Sequence, residues 1–177
     1  MKVSWLLFYT ILLSLAACST GKPIVWIERD VSLAGWRTVE ILPIVDESGK
    51  KHELDVATTI RQEVISNLEK RGLVIMSAGS MRHNVIVAEC KLISYEAGSA
   101  LARWTAPGSG KTECFVKCTL TDKESGKQLG EITASRMVAA GGLYTVGYER
   151  RILSEVSEDI ASELDKATQR TNGGSAR

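Results

Sequence analysis

Apolar residues recur along the chain with two different periods, and the switches between them predict its elements. Leu54, Ala57, Ile60, Val64 and Leu68 are spaced by three and four, with Arg61, Glu63, Glu69 and Lys70 expected to face outward. That stripe predicts an amphipathic helix over about 53–71, closed by Gly72. Ile152, Val156, Ile160 and Leu164 form a second such stripe and predict a helix over about 149–167. Between them the period falls to two. Ile86, Ala88, Cys90 and Leu92 alternate within 84–95, and Cys114, Val116, Cys118 and Leu120 alternate within 112–121. A third extended run covers 128–138, after the turn-forming Asp122-Lys123-Glu124-Ser125-Gly126. These three runs predict an antiparallel meander with a long first connection and a tight second one.

Shorter extended segments come earlier. Residues 23–31 carry Ile24, Val25, Trp26 and Ile27, and 38–45 reads Thr-Val-Glu-Ile-Leu-Pro-Ile-Val. Pro43 predicts that the pairing of the second segment ends or bulges there. Leu73-Val74-Ile75-Met76 reads as a short buried strand. The order is therefore strand, helix, strand, meander and closing helix. Burying both helical stripes requires both helices on one face of one sheet. The expected class is α+β: a single mixed or antiparallel sheet of about five strands with two amphipathic helices packed on one face.

The chain has 177 residues, enough for one domain with a substantial core. Its 22 Lys and Arg against 21 Asp and Glu give a net charge of +1, so no overall basic field is available for a polyanion. Nucleic acid is not an expected partner.

The first residues set the compartment. Lys2 precedes an apolar run through Leu15, and polarity returns at Ser19-Thr20-Gly21-Lys22. The run is too short to span a bilayer, which takes about 20 apolar residues, and has the layout of an export signal. Leu15-Ala16-Ala17-Cys18 resembles the lipobox of bacterial lipoproteins. The resemblance implies cleavage before Cys18, a diacylglyceryl thioether on its sulfur and acylation of the new amino terminus. An ordinary signal peptide or a buried N-terminal helix is the alternative. Ser19, by likeness to lipoprotein sorting in two-membrane bacteria, implies delivery to the outer membrane. The expected organisation is a signal peptide at 1–17, a lipidated tether at 18–23, a periplasmic domain at 24–167 and a disordered tail at 168–177.

Three cysteines remain beyond Cys18. Cys114 and Cys118 share a strand face but stand roughly 13 Å apart at about 3.3 Å per residue, too far to bond to each other. Buried free thiols are the preferred expectation, and a disulfide from Cys90 to Cys114 or Cys118 is the alternative. No zinc spacing is present, and neither a metal nor a cofactor is expected.

Candidate chemistry is sparse. Gly108-Ser109-Gly110-Lys111-Thr112 looks like the end of a phosphate-binding loop, but Thr105 stands where the motif needs Gly. The following residues alternate like a strand instead of opening a helix toward an anion, so no nucleotide is expected. His52 and His83 lie in polar, turn-like surroundings, and no Gly-x-Ser-x-Gly elbow or His-Glu-x-x-His helix occurs. Glu53 and Asp55 fall at a predicted helix N-terminus, where acids interact well with the macrodipole. No catalytic residue is assigned. The long connection 96–111 is the most distinctive stretch. Gly98, Arg103, Trp104, Gly108, Gly110 and Lys111 form a candidate interaction loop, since Arg and Trp anchor protein interfaces. Leu101 and Trp104 covering a sheet edge or the end of the core is the competing reading. Gly141, Gly142, Tyr144 and Tyr148 suggest a second adaptable loop.

The stretch Tyr95-Glu96-Ala97-Gly98-Ser99-Ala100-Leu101-Ala102-Arg103-Trp104, with Gly108-Ser109-Gly110-Lys111, Leu120 to Lys127 and Gly141-Gly142, resembles the bacterial lipoproteins called domain of unknown function 4410. That likeness runs over roughly 39–164. The element order is more loosely similar to periplasmic domains of curli-secretion lipoproteins, the TolB N-terminal domain and lipoprotein activators of penicillin-binding proteins. These resemblances imply envelope-associated interaction work. The expectation is a non-enzymatic outer-membrane lipoprotein that faces the periplasm and binds a protein partner or itself. A small-molecule carrier is the alternative, and an envelope enzyme with a spatially assembled site comes third.

Overall fold

The computed structural model describes residues 21–76, 83–105, 109–139 and 145–170, without the Arg103 side chain. Cys18, the 1–17 leader, Gly108, Gly141, Gly142 and Tyr144 lie outside the described residues, as do 171–177 of the expected tail. Thr168 and Gln169, placed in that tail by the sequence, instead belong to the last helix, with Thr168 buried. The elements in chain order are β1 (Ile24–Ile27), β2 (Thr38–Ile41), β3 (Val45–Asp46), α1 (Val56–Lys70), β4 (Val74–Ile75), β5 (Val85–Glu96), α2 (Ala100–Thr105), β6 (Thr112–Asp122), β7 (Gln128–Val138) and α3 (Tyr148–Gln169). The fold is α+β, with one mixed sheet ordered β1-β7-β6-β5-β2-β4 and β3 added beside β5. Among the described residues the sheet has seven strands against the expected number of about five, partly because the run 38–45 breaks into β2 and β3 around Pro43.

The three long strands form the predicted meander, β5 with β6 and β6 with β7, both antiparallel. Short β2 pairs in parallel with both β5 and β4, and the connection to β4 crosses over through α1. Ile86, Ala88, Cys90, Leu92, Cys114, Val116, Cys118, Leu120 and Ile132 point to one face and are buried. The α1 stripe of Val56, Ile60, Val64 and Leu68 joins the same core, with Ile152, Val156, Ile160 and Leu164 of α3. A bulge between Leu92 and Ser94 shifts the register by one residue. It turns Tyr95 inward and leaves Glu96 outside.

Two expectations about α1 need correction. Asp55 accepts a hydrogen bond from the Thr58 amide (3.0 Å) and caps the helix, so Leu54 lies before it, exposed, rather than on its stripe. Arg61 does not face solvent: its Nη2 donates to the Ile41 carbonyl (2.8 Å), satisfying backbone at the end of β2. Tyr148 likewise leaves the predicted adaptable loop, since it opens α3 and is buried.

Polar clips fix the helices to the sheet. Arg136 of β7 grips Asp159 of α3 with two hydrogen bonds, 2.6 and 2.7 Å. Arg37 donates to Asp165 (3.0 Å) and to the Arg71 carbonyl (2.8 Å), joining the ends of both long helices to the start of β2.

Cys90 and Cys118 stand directly opposite each other on β5 and β6 and are joined by a disulfide. The preference for free thiols therefore fails for this pair, because the register brings the two sulfurs together. Cys114 alone keeps a thiol among the described residues. The bridge closes a loop with a sequence separation of 28, which corresponds to about 3–4 kcal/mol of stabilisation. Replacing Cys90 and Cys118 together by Ala should lower unfolding stability by that order in denaturant titrations, and a reducing agent should do the same to the wild type only.

Burial pushes the Cys114 thiol up to about 12, and burial also pushes the Tyr95 hydroxyl to about 12. Both groups hold their protons in the folded protein at pH values where the unfolded chain releases them. Stability should thus fall as pH rises from about 9 toward 12. Cys114→Ala should reduce the slope by up to one proton, about 1.4 kcal/mol per pH unit, in denaturation measured across that window.

Candidate functional site

The connection from β5 to β6 is built as a closed loop carrying a short helix. Ser99 N–H donates to the Gly110 carbonyl (2.9 Å), and Thr112 Oγ1 donates to the Ala97 carbonyl (2.9 Å). These two bonds fasten the base of the loop just beyond the paired strands. Ser99 Oγ accepts from the Ala102 amide (3.2 Å) at the start of α2, and Ser109 Oγ donates back to the Ala102 carbonyl (2.9 Å).

Gly98 makes that closure possible. Its φ of +67° favours glycine, and a Cβ there would fall 2.4 Å from the Lys111 carbonyl oxygen. Gly98→Ala should therefore destabilise the protein by about 1–3 kcal/mol in thermal or chemical unfolding, with faster amide exchange at Ser99.

With its base fixed, α2 presents apolar side chains outward. Leu101 is 60% exposed and Trp104 is 63% exposed, three residues apart on the same helical face. Trp104 is therefore exposed rather than folded over the end of the core. Of the other predicted loop residues, Gly98 and Gly110 shape the turn, both with positive φ. Lys111 pairs with Glu113 (2.8 Å), and hydrogen bonding to Glu113 raises its ammonium above the ordinary lysine range. Thr112 opens strand β6, so the Gly-Ser-Gly-Lys-Thr segment leads into no helix.

Neighbouring groups crowd the same end of the sheet. Lys50 ion-pairs with Glu96, and this bond holds the Glu96 carboxyl below its usual range. His52 sits edge-on against Tyr95, with ring centroids 5.1 Å apart, and its Nε2 lies 2.9 Å from Ser48 Oγ. Tyr95 donates to the Glu149 carbonyl (3.0 Å), which anchors the first turn of α3 beside the loop. Exposed Val146 precedes that turn. Among the described residues no group of three or more His, Cys, Asp or Glu side chains is placed to hold a metal ion. Among them also, no helix is long and apolar enough to cross a membrane.

Sequence reading missed α2, although Ser99 before Ala-Leu-Ala-Arg carried a helix-start signal. It also missed the exposure of Ile24 and Trp26, because the run Ile-Val-Trp-Ile has no polar partner to show which pair faces out.

The family model described as Domain of unknown function (DUF4410) matches residues 40–142, more than half of the chain. The chain belongs to that family. No curated protein matches its sequence. Among solved structures, this DUF4410 chain is similar to the PelC dodecamer from Paraburkholderia phytofirmans, with a TM-score of 0.50 and 14% identity over 79% of this chain and 97% of that one. The hypothetical protein CT253 from Chlamydia trachomatis also gives 0.50, at 10% identity over 74% and 97%. Lipoprotein GNA1162 from Neisseria meningitidis gives 0.45 at 17% identity, over 71% and 98%. At these identities PelC and CT253 share the fold with the DUF4410 chain.

Proposed function

We propose that this DUF4410 protein is an exported lipoprotein, held by acyl chains on Cys18 at the outer membrane and facing the periplasm. It works there by protein contact rather than catalysis, with a second copy of itself as the first partner. The observation that carries this reading is the outward Leu101–Trp104 ridge on a connection whose base is fixed by hydrogen bonds. Trp is among the residue types that dominate interface energies, and a rigid support lowers the ordering cost of binding.

Four further points support it. The leader and Leu-Ala-Ala-Cys pattern fit lipoprotein export. The Cys90–Cys118 bridge fits an oxidising compartment, where structural disulfides persist. PelC, which shares the fold, is described as a dodecamer. Between sheet and helices, Ile60, Leu92, Ile132 and Leu164 meet in one buried cluster, which favours a contact protein over a carrier with its pocket there.

Light scattering of the full-length protein in detergent should show multi-subunit assemblies. Leu101→Ser with Trp104→Ser should weaken them by about 30-fold or more in dissociation constant. A wild type that stays monomeric at every concentration would count against self-association. Mass spectrometry of the amino-terminal peptide tests the anchor separately: glycerolipid on Cys18 is expected, and an unmodified Cys18 would contradict it.

A further inference from the structure

The chain between the proposed anchor and the folded sheet is very short. Gly21 is already seated on β7, so closely that a Cβ there would fall 1.9 Å from the Ser135 carbonyl oxygen. Gly130 makes the matching approach at the other end of β1, where a Cβ would lie 2.4 Å from the Trp26 carbonyl oxygen. Two close backbone contacts therefore hold 21–27 against β7. Two residues, Ser19 and Thr20, separate Cys18 from Gly21, and the three steps between them reach no more than about 11 Å. A lipid on Cys18 would keep this edge of the sheet at the bilayer surface.

The side chains on that edge have the chemistry of a membrane interface. Lys22, Ile24 and Trp26 recur at every second position and are all exposed. Ile24 is 69% exposed and Trp26 is 49% exposed, both on the face of the sheet away from the helices, because Val25 and Ile27 pack into the core. On β7, Met137 faces the same side and is 39% exposed. Half-buried Phe115 lies opposite Ser135 on the neighbouring strand, between Met137 and Ile24 along the sheet. Trp concentrates at the headgroup boundary, and a nearby Lys is drawn to anionic lipid.

We infer that Ile24, Trp26 and Met137, with Lys22 beside them, form a membrane-contact strip that seats the open face of the β1–β7 edge in the headgroup region of a phospholipid leaflet. The anchor then supplies attachment, and the strip supplies orientation, turning a tethered domain into one with a fixed pose. This inference rests on the Cys18 anchor proposed above.

The test reconstitutes the lipidated full-length protein, its Cys18 adduct first established by mass spectrometry, into phosphatidylethanolamine–phosphatidylglycerol vesicles with or without brominated acyl chains. Three tryptophans follow Cys18 in the sequence: Trp26, Trp36 and Trp104. Bromolipid should quench the wild-type fluorescence. Trp26→Phe should abolish most of that quenching, and Trp104→Phe should leave it in place. Both positions are exposed, and an unchanged melting temperature checks that each variant folds. Equal quenching of wild type and Trp26→Phe on a lipidated chain would overturn the strip while leaving the anchor standing. Trp26 shielded from aqueous iodide but not quenched by bromolipid would assign the strip to a second copy and also overturn the inference. An unlipidated Cys18 would instead remove the anchor reading on which it rests.

Discussion

Both long helices bury their apolar stripes against the same face of the sheet, and the other face is left to solvent. Ile60 and Val64 from one helix and Ile152 and Ile160 from the other enter a single core with Ala88, Cys90, Leu92 and Cys118. Apolar area removed from water supplies the main driving force, and the helices have no other surface that could take both stripes. The Cys90–Cys118 bridge lies in the middle of that layer and locks the central strand pair in register. Every surface available for function is set by this one-sided packing: the open sheet face, its β1 edge, and the loops at the ends of the long strands.

The proposed contact surface sits where the core stops needing the chain. The register bulge after Leu92 turns Tyr95 inward, and its hydroxyl ties the strand end to the first turn of α3. From there the chain leaves the sheet, crosses through Gly98 and returns at Thr112 under its own hydrogen bonds. Leu101 and Trp104 are exposed as a consequence of that closure. A floppy connection would pay for binding in lost entropy, whereas this one is already ordered at its base.

The fold was largely legible because its signals were periodic. Alternation marked β5, β6 and β7, and three-four spacing marked both long helices. Legibility failed where local pattern is silent about partners. Arg61 reads as a surface cation on any helix wheel, yet it satisfies carbonyls at the end of β2, a neighbour only the tertiary fold provides. Cys90 and Cys118 alternate like any buried pair. Only the register between strands separated by 28 positions shows that they meet. The candidate interaction loop was visible as a long connection rich in Gly, Arg and Trp. The direction of Trp104 was not, since a Trp beside a core end can serve either side.

The exposed ridge of α2 is the proposed contact surface, and the helix-covered face of the sheet carries the core. Photo-crosslinking from a probe amino acid placed at position 104 in intact cells tests that division most directly, with exposed position 83 on a different loop as the comparison. Covalent adducts between copies, strong from 104 and weak from 83, are the predicted result. Equal or absent adducts from the two positions would contradict it.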